Sequence, residues 1–358
     1  MSSPELAARR AGRAAARAAE LRRRRRRLAA LLGGLAVLVV LLIVLLSGGG
    51  GAGHSGAAAS PAASASGDRA ARPAAARAIH VQPVGSLPAP LQDPAVAGLG
   101  GGQVALLGGL DRADTSTANI LVLTGAVPRA AGRLPAPQHD AQATALGGAV
   151  YVFGGGDLAS YDHILRFDPA TGGATTVGHL PSPASDVAVA ALGDTAYIVG
   201  GYDGSRPLDT IVAWRPGGPA TVVGHLPYAV RYAAVAAAGG RLIIAGGTVG
   251  LGATDAIESF DPASGTTRRI GRLPAVETHA GAATLGSVVY VVGGRRAAAD
   301  TPIAQILSID PASGRARRVG ALPKPLSDAA TVLDGSRIVV AGGRSAGAAQ
   351  TGIYALAP

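Results

Sequence analysis

The 358-residue sequence contains no cysteine, so it forms no disulfide scaffold, ligates no zinc or iron–sulfur cluster through sulfur and offers no thiol nucleophile. Aromatic residues make up only 3%, which leaves few large rings for a core or a stacking platform. Charge is also scarce at 15%, and the net +10 is unevenly placed. Residues 1–30 hold ten Arg against two Glu, leaving 22 basic and 20 acidic residues for the rest of the chain. A nucleic-acid-binding face beyond residue 30 is therefore not expected. No His-Glu-x-x-His is present, which removes one familiar zinc-hydrolase signature.

What is present begins with a long apolar run. Residues 28–46 are 19 uncharged residues, enough for one helix across a bilayer core of about 30 Å. Six arginines at 22–27 abut its N-terminal end, and a Ser-Gly-rich stretch follows it. The positive-inside rule then expects 1–27 as a cytoplasmic Arg-rich segment, 28–46 as a transmembrane helix and the remainder outside the plasma membrane. Residues 47–78 are almost wholly Gly, Ala, Ser and Pro with three arginines, a flexible linker whose ends would lie about 30 Å apart. The small residues at 63–65 also suit a signal-peptide cleavage site, so retention as an anchor and removal as a signal are both readings. The length of the run favours retention.

Residues 79–358 repeat one unit six times. Gly-Gly pairs after apolar residues stand at 108/109, 154/155, 200/201, 246/247, 293/294 and 342/343, spaced 46, 46, 46, 47 and 49. A second marker, apolar-Gly-x-Leu-Pro, keeps the same step at 84–88, 131–135, 177–181, 223–227, 270–274 and 319–323. Between the markers lie four short Val/Ile/Leu-rich runs per repeat, separated by Gly and Pro turn signals. We label these runs a to d from the axis outward. The expected fold is all-β, a six-bladed propeller of four-stranded blades, because six such sheets arranged radially bury each other's faces. The chain starts with an orphan strand d and ends on a repeat lacking one, so a 1+3 closure of the last blade is expected.

These doublets, together with the Asp-Pro turn after strand c at Asp168-Pro169, Asp261-Pro262 and Asp310-Pro311, resemble the kelch family. The resemblance implies a Tyr in strand c and a Trp in strand d. Here the first position holds Leu123, Phe167, Trp214, Phe260, Ile309 and Leu356, and the second region holds small or polar residues such as Ala174 and Thr267. Lighter packing between blades follows, with Trp214 in the core.

The a–b and c–d turns are short and alike, whereas the b–c loops differ from repeat to repeat, which places specificity on the b–c face. Five residues past each Leu-Pro proline, at the start of strand a, stand Asp93, Asp140, Asp186, Tyr232, His279 and Asp328. The preceding residues include His139 and Arg231. The four aspartates read either as carboxylates accepting backbone N–H bonds from the next blade, or as a ring able to hold a divalent cation or a polyol. Arg231, Tyr232, His139 and His279 break the repetition and are the expected binding residues for a planar, carboxylated or hydroxylated ligand. No residue is assigned a catalytic role and no resident cofactor is expected. The reading is a monomeric, single-pass, extracytoplasmic module that recognises a protein or an envelope glycan. Two alternatives stand beside it, a lactonase- or lyase-like propeller enzyme with a channel-bound metal and an assembly subunit of an envelope complex. Copper–radical oxidase chemistry, known on kelch propellers, is excluded because its Tyr–Cys cofactor needs cysteine.

Overall fold

The computed structural model describes residues 78–297 and 301–358. The expected cytoplasmic segment, transmembrane helix and linker lie outside the described residues, and no described helix is long and apolar enough to cross a membrane. The described chain is all-β.

The first sheet has seven strands: β2 (Ala95–Gly100), β3 (Gln103–Leu107), β4 (Thr117–Thr124), β5 (Val127–Leu146), β6 (Ala149–Gly156), β7 (His163–Phe167) and β8 (Ala174–His179). Three four-stranded sheets follow. They are β9 (Ala188–Leu192) to β12 (Thr221–His225) through β10 (Thr195–Val199) and β11 (Thr210–Trp214); then β13 (Ala234–Ala238), β14 (Arg241–Ala245), β17 (Ala256–Asp261) and β18 (Thr266–Arg272); then β19 (Gly281–Leu285), β20 (Val288–Val292), β21 (Gln305–Ile309) and β22 (Ala316–Ala321). A small hairpin of β15 (Thr248–Val249) and β16 (Gly252–Ala253) forms one b–c loop. In the last sheet β1 (His80–Leu91) pairs with β26 (Ala348–Ala357), followed by β24 (Arg337–Ala341) and β23 (Ala330–Asp334), with β25 (Arg344–Ser345) beside β26.

Four discrete blades thus stand where six were expected. The first two repeats form one continuous sheet instead, because Thr117 pairs with Gln138 and carries the β4–β5 ladder through the Leu-Pro bend that interrupts the three four-stranded repeats. Beyond that point β5 changes partner, and His139 faces Gly156 of β6. The innermost strands β2, β5, β9, β13, β19 and β23 lie side by side, and β23 returns to β2.

Both sequence markers have a physical reason. The N–H of the second glycine of each doublet donates to a carbonyl of the next repeat at 2.8 Å: Gly109 to Gln138, Gly155 to Ala184, Gly201 to Val230, Gly247 to Glu277, Gly294 to Leu326, and Gly343 back to Leu91. At the first glycine, a Cβ on Gly200 would sit 2.3 Å from the Val230 carbonyl oxygen, and its φ of 61° disfavours other residues as well. The glycine of the second marker sits at a bulge against the next repeat, as where a Cβ on Gly271 would meet the Gly314 carbonyl at 2.2 Å. The leucine after it is buried in all six repeats.

Apolar side chains fill the joints between neighbours. Trp214 is buried with its ring 4.8 Å from Tyr151 and 5.5 Å from Phe153, and at the closure Val104 and Leu106 meet Val339 and Ile353. Leu, Ile, Val and Ala do most of this packing, consistent with the missing aromatics.

Candidate functional site

The fifth position after each Leu-Pro has one conformation throughout. Asp93, Asp140, Asp186, Tyr232, His279 and Asp328 all have φ between 52° and 59°. Aspartate and asparagine tolerate this left-handed region better than most residues, which is why Asp recurs there. The expectation that these carboxylates accept backbone N–H bonds from the adjacent blade is corrected, because it is the backbone carbonyls that do so. The Asp186 N–H donates to the Asp140 carbonyl, Tyr232 to Asp186, His279 to Tyr232, Asp328 to His279 and Asp93 to Asp328. The side chains are thereby released toward the channel mouth. The residue before each, such as Ser185, Arg231 or Thr278, bridges to the residue after the doublet, here Tyr202, Thr248 and Arg295.

The channel itself is a cavity of about 100 Å³ bordered by Asp93, Asp328, His279 and Tyr232 above a wall of small residues. Burial, then the neighbouring Asp328 and Asp140 carboxylates, hold the Asp93 proton well above the usual carboxylate range. Asp140 is raised in the same way by burial and by Asp186, and Asp328 is raised by burial. His279 is stacked on the Tyr232 ring at 3.7 Å. Its Nε2 lies 2.7 Å from Arg295 Nη2, a group that only donates, so Nδ1 carries the proton and donates to Thr278 Oγ1 at 2.9 Å. Burial and the Arg295 and Arg231 charges push its pKa well below normal.

A second cavity of about 340 Å³ opens on the b–c face, lined by His139, Asp140, Asp157, Asp186, Tyr202, Arg231 and Tyr232 among others. The Tyr232 hydroxyl donates to Asp140 Oδ2 at 3.1 Å, and His139 Nε2 stands 3.4 Å from the same oxygen. Ser116 gives its one hydroxyl proton to Asp157 at 2.8 Å, so it accepts from His139 Nδ1 at 2.9 Å. His139 Nδ1 therefore carries a proton, and burial is the chief cause that lowers the pKa of the ring. Arg231 Nε is paired with the buried Asp186 carboxylate, and its guanidinium lies 4.7 Å from the Tyr202 ring centre and 5.3 Å from that of Tyr232.

The structure brings His139, Asp140, Asp186, Arg231 and Tyr232 into this one cavity, whereas His279, Asp93 and Asp328 border the channel and Tyr232 borders both. Among the described residues, no group of three His, Asp or Glu is arranged to hold a metal ion. The sequence reading passed over Tyr202, Arg295 and Arg344, which occupy the position after the doublet and could have been found by counting from it. Arg344 Nη1 donates to Gln92 and to Asp114, and Asp111 caps its own turn by accepting from Ala113 and Thr115, so both of these loop aspartates are engaged in loop structure. Asp162, Asp209 and Asp255, just ahead of strand c, brace strand d: they pair with His179, His225 and Arg272. Gly343-Arg344-Ser345-Ala346-Gly347 has the spacing of a nucleophile elbow, yet it forms the β25–β26 hairpin with no helix after it.

Residues 183–217 match the kelch motif. The solved structure of YjhT is similar over 75% of this chain and 95% of that one, with a TM-score of 0.67 and 16% identity, a likeness of fold. Among curated proteins, none matches the chain. The doublet and its hydrogen bond to the next repeat recur six times around that matched segment, so the motif match and the likeness of fold together support a kelch-type β-propeller.

Proposed function

We propose that the chain is a membrane-tethered, extracytoplasmic binding module in which a ring of six repeats presents the b–c face to a hydroxylated ligand, the end of an envelope glycan. One observation carries this reading. The 340 Å³ cavity is lined by three aspartates against one arginine, and that arginine is already paired with Asp186. A carboxylated ligand would have to displace Asp186 to reach the paired bonds Arg231 offers. A hydroxylated one finds carboxyl oxygens in Asp140, Asp157 and Asp186, and ring faces in Tyr202 and Tyr232. The module acts as a monomer and needs no metal for this.

A second reading, an enzyme-like module, is favoured by the Asp140 carboxyl. Burial and Asp186 raise its pKa, and it stands beside the Tyr232 hydroxyl and His139 Nε2, an arrangement suited to a general acid.

The tests are separate. Cell-wall glycan fragments should raise the melting temperature of the protein, and Tyr232→Phe with Asp140→Asn should weaken binding at least about tenfold, the loss of two hydrogen bonds to ligand or partner. Undiminished binding by that pair would move the site elsewhere, and capture of a protein with no glycan response would replace the ligand class. Protease added to intact cells should digest the propeller while an N-terminal epitope survives, and protection of the C-terminus would refute the topology.

A further inference from the structure

The exposed cations are unevenly placed around the rim of the ring. The outer strands β18 and β22 belong to consecutive blades, and at equivalent positions before Gly271 and Gly320 they carry Arg268-Arg269 and Arg317-Arg318. Arg272 and Arg315 extend the set, and all six are exposed. Arg269 is paired with Glu258 at 3.1 Å and Arg272 with Asp255 at 2.9 Å. Among the described residues, no carboxylate lies within ion-pair distance of Arg268, Arg315, Arg317 or Arg318.

Charged outer strands often serve only to stop edge-to-edge pairing. The repetition tests that explanation within the molecule. β8 and β12 are also outermost in their sheets, yet the same two positions there hold Thr175 and Thr176, and Thr221 and Val222. Edge protection therefore does not require arginine on this scaffold, and its concentration on two adjacent blades needs another reason.

The position of the patch supplies one. β18 and β22 adjoin where Gly271 abuts Gly314, one residue before Arg315. On the other side of β22, the Ile79 N–H donates to the Val319 carbonyl at 2.9 Å, so the chain arriving from residues 1–78 joins the domain directly beside Arg317 and Arg318. We propose that this arginine edge rests on an anionic lipid surface, the one to which the chain is tethered. The inference builds on the tethered reading above. Guanidinium groups form paired bonds to phosphate, and a row of them on an open rim suits a surface better than a groove-bound chain. A linker of about 30 Å leaves the domain free to reach that surface and leave it. The binding cavities, on the b–c face, stay open in the docked state.

The full-length chain offers a direct test, because it has no cysteine and accepts single labels. Fluorophores at Ser313→Cys, in the turn before Arg315, and at Thr175→Cys, on β8, are compared in vesicles carrying a headgroup quencher. In vesicles rich in phosphatidylglycerol the label at 313 should be quenched several-fold more than that at 175. The difference should vanish in pure phosphatidylcholine, in high salt, and in the variant Arg268→Gln/Arg315→Gln/Arg317→Gln/Arg318→Gln, and should return with Lys at the four positions. Equal quenching at 313 and 175 in protein that floats with the vesicles overturns the docking. Protein that fails to float overturns the tether instead. A label at 313 that responds to soluble polyglutamate but not to lipid charge replaces the lipid with a polyanion and overturns the lipid assignment.

Discussion

At Glu277, burial lifts the carboxyl pKa to about 7 from 4.5, against the lowering effects of the Gln305 hydrogen bond and Arg296. One of its oxygens is buried without a partner, while the other accepts from Gln305 Nε2 at 2.6 Å. Between these two pH values the folded protein holds a proton that the unfolded chain releases, so stability is lost as pH rises through the window. Glu277→Gln should flatten that fall, raising stability at pH 8 by up to about 3 kcal/mol with little change at pH 4. Urea unfolding at the two pH values measures it, and an unchanged pH slope would show that Glu277 is not its source. Asp93 gives a second residue-scale expectation. Asp93→Asn keeps a residue suited to φ of 53° and removes the carboxyl that titrates beside Asp328 and Asp140. It should match or exceed the native stability above pH 7, whereas Asp93→Ala should be less stable than Asn by about 1 kcal/mol. A more stable Ala variant would show that carboxylate repulsion, not backbone conformation, governs the position.

The joint between repeats is the element on which the fold turns. Gly239 and Gly200 both have positive φ, but a Cβ on Gly239 meets nothing within 4 Å whereas one on Gly200 runs into the Val230 carbonyl. Gly239→Ala should therefore cost about 1 kcal/mol, the left-handed backbone alone. Gly200→Ala should cost about 3 kcal/mol or more, because the inter-repeat hydrogen bond of Gly201 is pushed apart as well. Equal melting temperatures for the two variants would show that the joint yields easily. The doublet was legible in the sequence as a marker, and only the neighbouring repeat explains why both its residues are glycine.

For the whole molecule, closure depends on strands from opposite ends of the chain. β1 pairs with β26 from His80–Ala357 to Leu91–Gln350. Removing residues 79–91 should expose the β26 edge and abolish cooperative unfolding, while removing residues 1–77 should leave it intact. Two-state unfolding in both truncated chains would show that this pairing is dispensable. The all-β propeller class, the closure by the first strand and the burial of Trp214 follow from the sequence, because they rest on a recurring period, an unpaired first strand and a lone large ring among small apolar residues. The fused first sheet does not, because it depends on Thr117 meeting Gln138 across a bend that the sequence marks as a break. The site shows the same division. Position five was found by counting, but the reason for its aspartates lies in a backbone conformation, and the pairing of Arg231 with Asp186 joins residues 45 apart. A period in sequence fixes which positions are equivalent; only the packing of one repeat on the next decides which side chains meet, and therefore what charge a ligand encounters.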